Sequence, residues 1–179
     1  MMRLTTELIS LDGHRWRAWL FAFCLLSFAF CLSACAKQPQ TVKAEATSGN
    51  CPVCGMQVNG ADETTAEIYY NDGTKLMFES PGDLLAFYTA PGKYKATPAQ
   101  QDRNNITRIA FKDYQTHQPI DGRQAAIVYG SRVEGPMGPD FFAFNKRADA
   151  DAFVAANGGK VVGLNDITPE MAQALGHGH

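Results

Sequence analysis

Two stretches of this chain carry the same punctuation. Phe78, Asp83 and Phe87 recur 66 residues later as Phe144, Asp149 and Phe153. In each stretch the first Phe closes an apolar, strand-like run, and the Asp and second Phe fall in a helical pattern behind it. A repeat at this spacing describes a supersecondary unit used twice. Each copy reads strand, strand, capped helix. The chain is therefore expected to be α+β, with two similar ββα-type units and mostly antiparallel strands.

The local signals support each element. Thr65–Tyr70 and Thr74–Phe78 flank Asn71-Asp72-Gly73, a tight-turn signal in which Asp-Gly supplies positive φ. Ser80 is a natural N-cap, Pro81 suits the first helical position, and Asp83 is placed to complete a capping-box variant. Leu84, Leu85, Phe87 and Tyr88 give that helix its apolar face, and Pro91-Gly92 ends it. After a polar connection, Thr107–Tyr114 and Ala125–Tyr129 read as strands. Gly130–Pro139 is a glycine- and proline-rich loop, and Asp140–Phe144 is a further strand. Asn145 is expected to cap a helix to Asn157 that turns Ala148, Ala152, Phe153 and Ala156 inward and stops at Gly158. Lys160–Leu164 reads as the last strand, and Thr168-Pro169-Glu170 opens a short helix. The halves run from about 51 to 95 and from about 106 to 165, with the final helix at about 168–175.

Ahead of this domain lies an address. Arg15 and Arg17 precede Ala18–Phe30, thirteen residues without a charge, and the run ends in Leu32-Ser33-Ala34-Cys35. A basic segment, a short apolar core and a small-residue site constitute an export signal. The LSAC sequence resembles the bacterial lipobox, which implies cleavage after residue 34 and acylation of Cys35. The mature chain would begin at Cys35, and residues 36–50 would form a tether spanning roughly 20 Å as a coil. Acyl chains contribute about 0.8 kcal/mol per buried CH₂, so several of them make a stable anchor. Ala36 after the Cys favours an outer-membrane, periplasm-facing location by the usual sorting convention. The formal charge of the whole chain is −2, which excludes a nucleic-acid binder working through a basic excess.

Chemistry is confined to few residues. Of five Cys, Cys24 and Cys31 leave with the signal and Cys35 takes lipid, so Cys51 and Cys54 remain. A lone C-x-x-C in an exported chain admits a disulfide, a redox pair or soft-metal ligands. A closed zinc site needs four ligands. A low-pKa redox thiol wants a helix N-terminus, and Gly55-Met56-Gln57-Val58-Asn59-Gly60 is a poor helix. A second sulfur-bearing loop, Gly135-Pro136-Met137-Gly138-Pro139, presents a Met without apolar neighbours. Thiolate and thioether donors together select Cu(I). Met77 and Met171 sit in strand and helix patterns and are expected in the core. His117 lies in a turn, and His177 and His179 end the sequence. There is no phosphate-binding Gly-rich loop and no Gly-x-Ser-x-Gly, so an enzyme is not expected.

CPVCGM, VYGSRVEGPMG, ADADAFVAANGGKV and DITPEM, taken together, resemble the NosL family over about residues 50–176. The resemblance implies an exported, lipid-anchored Cu(I) chaperone that serves the copper–sulfide centre of nitrous oxide reductase together with an ABC-type maturation complex. It also implies a pair of ββαβ-like units. In family members with one motif cysteine, that cysteine stands two residues before the Met, which makes Cys54 the first thiolate. Met137 is the first thioether, and Met56 and Cys51 are the further candidates. The competing reading is a periplasmic thiol–disulfide or mercurial-handling lipoprotein that uses Cys51 and Cys54 covalently.

Overall fold

The computed structural model describes residues 48–175. The export signal, the acylation site at Cys35, most of the tether, and His177 and His179 lie outside the described residues.

The chain opens with a small hairpin, β1 (Ser48–Asn50) and β2 (Gln57–Asn59), joined by the six-residue loop 51–56. The first unit follows. β3 (Ala66–Tyr70) pairs antiparallel with β4 (Lys75–Phe78), and helix α1 (Pro81–Thr89) comes next. A 3₁₀ turn at Pro91–Lys93, the short helix α2 (Pro98–Gln101) and a 3₁₀ turn at Arg103–Asn105 lead into β5 (Ile106–Lys112). β5 pairs with the far side of β3, and β6 (Pro119–Asp121) extends the sheet to the order β4-β3-β5-β6. The first sheet thus draws its third strand from beyond residue 95.

The second unit repeats this plan. β7 (Ala126–Tyr129) is central, β10 (Phe142–Phe144) flanks it, α3 (Arg147–Asn157) crosses, and β11 (Lys160–Val162) pairs on the other side. The miniature hairpin β8 (Glu134–Gly135) and β9 (Gly138–Pro139) interrupts the β7-to-β10 connection. Helix α4 (Pro169–Leu175) packs back on α1. The expected α+β architecture of two ββαβ units is what the chain forms, and every strand pairing among the described residues is antiparallel. The repeat holds in register. Phe78 and Phe144 end their strands, Asp83 and Asp149 are third in their helices, and Phe87 and Phe153 are seventh.

Alternation builds the core. In β3, Ala66, Ile68 and Tyr70 are buried, while Glu67 and Tyr69 face the other side, where Lys75 pairs with Glu67 at 3.0 Å. These side chains meet Phe78, Leu84, Leu85, Phe87, Ile109 and Phe111 in the main core. A smaller aromatic core in the second unit gathers Phe142, Phe144 and Phe153, with Tyr114 laid against all three rings.

Several local expectations are revised. Only Gly73 of the 71–73 turn takes positive φ, at 84°. Asp72 contributes its side chain, which accepts from Thr74 N–H at 2.8 Å. Asn145 does not cap α3; Lys146 occupies that position without a side-chain bond. The Asn145 N–H instead donates to Asp113 at 2.7 Å and ties β10 to the end of β5. Within α3, Ala150 and Phe153 are buried, whereas Ala148, Ala152 and Ala156 face solvent. The face turned to the sheet runs through Ala150, Phe153 and partly buried Val154, so the three expected alanines lie on the other side of the helix. Strand β6 was not foreseen, because Pro119 and its turn residues mask a three-residue edge strand.

Candidate metal centre

The loop between β1 and β2 is shaped by its own backbone. Cys51 N–H donates to Met56 O at 2.9 Å, and Gly55 N–H donates to Cys51 O at 2.9 Å. Gly55 holds φ at 77°, a value a side chain opposes. This closed ring brings both sulfurs to one side. Cys51 is fully buried, and Cys54 is half-buried against the main core. Both are free thiols.

The third member comes from α1. Ser80 caps that helix by accepting from Asp83 N–H at 3.3 Å. The Asp83 side chain does not close a capping box. It turns inward with no exposed surface, and one oxygen accepts from the Cys51 thiol at 3.2 Å. Its other oxygen, Oδ1, is buried without a hydrogen-bond partner. One donor atom each from Cys51, Cys54 and Asp83 lie within 4.8 Å of one another. Cys54 also donates toward Glu79 at 3.8 Å. Asp149, the repeat partner of Asp83, is only partly covered, so the two units have diverged at this position.

The surroundings keep the thiols protonated. Desolvation pushes Cys51 above its usual range, and the Asp83 charge adds to this; the turn amides of Cys54 and Val53 pull the other way. Desolvation also pushes Cys54 up strongly, followed by its interaction with Asp83. A buried carboxylate beside two thiols is electrostatically suited to a cation, which replaces the thiol protons as it binds. The same features oppose an activated redox thiol, which needs a lowered pKa.

The two methionines of interest stand at the surface. Met56 is 46% exposed at the end of the thiol loop, and Met137 is 38% exposed. Met137 occupies the two-residue turn of the β8–β9 hairpin, with Gly138 at φ 112°. These two loops are not equivalent parts of the repeat, because Met56 precedes its unit and Met137 interrupts its own. Met77 is buried and Met171 packs against the core, as expected. His117 sits at φ 56°, with its ring 3.8 Å from Glu63. Among the described residues, Cys51, Cys54 and Asp83 form the cluster of His, Cys, Asp and Glu donors close enough to share one ion.

Asp83 escaped sequence reasoning because a helix cap explained it. The signal was its setting: all seven residues from Pro81 to Phe87 are buried. An Asp inside an apolar-all-round helix needs a partner inside the protein.

The curated relatives include a copper-binding lipoprotein NosL of Stutzerimonas stutzeri, 24% identical over 165 residues, covering 89% of this chain and 85% of the relative. A copper-binding lipoprotein NosL of Achromobacter cycloclastes is 45% identical over 60 residues, covering 30% of this chain and 31% of the relative. Among solved structures, the copper chaperone NosL of Shewanella denitrificans shares the fold, with a TM-score of 0.58 and 24% identity over 74% of this chain and 99% of the other. The family model for NosL matches residues 41–172, which takes in the thiol loop, Asp83 and the Met137 hairpin alike, and the chain belongs to the NosL family.

Proposed function

We propose that this protein carries Cu(I) as cargo rather than catalysing a reaction. The Cys51 and Cys54 thiolates bind the ion, and Met137 supplies a thioether from the second loop. Met56 stands beside them as the thioether of the thiol loop. The observation that carries the reading is the convergence of two reduced thiols and a buried carboxylate within 4.8 Å. Two soft anionic donors favour Cu(I) over harder ions. A site with few protein ligands leaves room for an incoming thiolate, thioether or imidazole, so copper passes on by ligand exchange.

In this reading the mature chain is exported, held to the outer membrane by acyl groups on Cys35, and faces the periplasm. Its client is the copper–sulfide centre of nitrous oxide reductase, reached through an ABC-type maturation complex. The named relatives support a copper-binding lipoprotein role. Chelator competition on anaerobically prepared protein tests the core of the proposal. One Cu(I) per chain is expected, with loss of binding in Cys54→Ser and a roughly tenfold or greater weakening in Met137→Leu. If Met137→Leu binds normally while Cys51→Ser abolishes a thiol–disulfide or mercurial activity, the covalent reading replaces this one.

A further inference from the structure

The two sulfur-bearing loops come from different units, and a mobile hairpin tip is a poor place for a ligand unless something fixes it. Asp140, which follows β9, is 3% exposed. Its Oδ1 accepts from Gly82 N–H at 2.8 Å, across 58 residues of sequence, and from Phe141 N–H at 2.7 Å. Gly82 immediately precedes Asp83 in the first turn of α1. That first turn carries free backbone N–H groups and the positive end of the helix dipole, both of which favour a carboxylate.

The other side of the same carboxyl group presses on the hairpin. A Cβ on Gly135 would lie 2.7 Å from Asp140 Oδ2 and 2.8 Å from its Cβ. A Cβ on Gly82 would lie 2.4 Å from Asp140 Oδ1. Both glycines are therefore places where backbone approaches this one side chain too closely for any larger residue. Gly135 is paired with Gly138 in the strands that flank Met137.

On the reading of the site given above, we infer that Asp140 is a positioning residue for copper. It clamps the Met137 hairpin to the helix end that carries Asp83. In this reading it acts by fixing where the thioether is presented. The contact is buried and charge-assisted, so its removal frees the hairpin while leaving both thiols in place.

A double-mutant cycle on the full chain, with Cu(I) affinity read by chelator competition, tests this. Asp140→Ala is expected to weaken Cu(I) binding by about as much as Met137→Leu, roughly tenfold or more. The double variant should be no weaker than Met137→Leu alone, because both changes remove the same contact. Asp140→Asn keeps one acceptor oxygen and should recover most of the affinity. X-ray absorption of the Cu(I)-loaded Asp140→Ala protein should show one sulfur fewer than the unmodified protein, a change that a general loss of stability does not produce. If Asp140→Ala does not fold, Gly135→Ala serves instead, since its added methyl displaces the hairpin without removing the carboxylate, and the same cycle is expected. Losses that multiply in the double variant, or an unchanged sulfur count, overturn the clamp. An unchanged affinity in Met137→Leu alone overturns the two-loop reading itself, which keeps the two failures apart.

Discussion

The proton balance of copper binding follows from the burial of the two thiols. Both stand above their ordinary pKa of 9.0, through desolvation first and the Asp83 carboxylate second. In the copper-free protein each therefore remains a thiol throughout the range from pH 6 to pH 8. A raised acid pKa means that protonated sulfur is favoured below it, so Cu(I) must displace one proton from every cysteine it binds. Apparent affinity then rises with pH by about a factor of ten per pH unit for each thiol that is lost, equal to about 1.4 kcal/mol. If Cys51 and Cys54 both bind, the gain is about a hundredfold per unit, or roughly ten-thousandfold from pH 6 to pH 8. Calorimetric titration in buffers of different ionisation heat counts the released protons directly, and two per Cu(I) are expected. Cys51→Ser should reduce the count to one and halve the pH slope. A pH-independent affinity in the unmodified protein, or a count of one that survives Cys51→Ser, refutes the reasoning.

Other parts of the structure yield further expected outcomes. Asp83→Asn removes a buried charge that has one oxygen unpartnered, so the apo protein should melt at the same or a higher temperature while Cu(I) affinity falls about tenfold; a lower melting temperature with unchanged affinity would show that Asp83 is only structural. Desolvation raises the Asp113 carboxyl, but hydrogen bonds from Asn145, Thr116 and Gln115 outweigh it and hold the pKa below 3.8. Its stabilising contribution is therefore present above the unfolded pKa and disappears as pH falls through the folded one, and Asp113→Ala should flatten that acid limb in denaturation measured from pH 6 down to pH 2. Phe153→Ala removes the ring that touches Tyr114, Phe142 and Phe144; the loss should be about 3 kcal/mol, read by chemical denaturation.

Much of the fold was legible because its signals are local. Ser80-Pro81 announces α1, Gly73 the turn and Gly158 the end of α3, and each acts within a few residues of its own position. The ββα part of the repeat was visible in three residue pairs because strand ends and helix turns hold their spacing, while the closing strand of each unit was implied by the family resemblance. The thiol pair was legible too, since its loop is closed by bonds within six residues. What escaped depends on distant contacts. Asp83 reads as a cap until the thiol loop, 32 residues earlier, is folded against it. Asn145 reads as a cap until Asp113 takes its N–H. Asp140 reads as an ordinary strand residue until Gly82 arrives from the other unit. Five alanines in α3 leave its apolar face ambiguous, and the packing of Ala150, Phe153 and Val154 on the second core decides which side is covered.

X-ray absorption at the copper edge of the Cu(I)-loaded protein tests the central claim most directly, because it counts the atoms around the ion. A first shell of at least three sulfurs, reduced by one in Met137→Leu, is the predicted result. A shell of two sulfurs that is identical in the Met137→Leu protein would contradict it, because the ion would then be held by the thiol loop without the second loop.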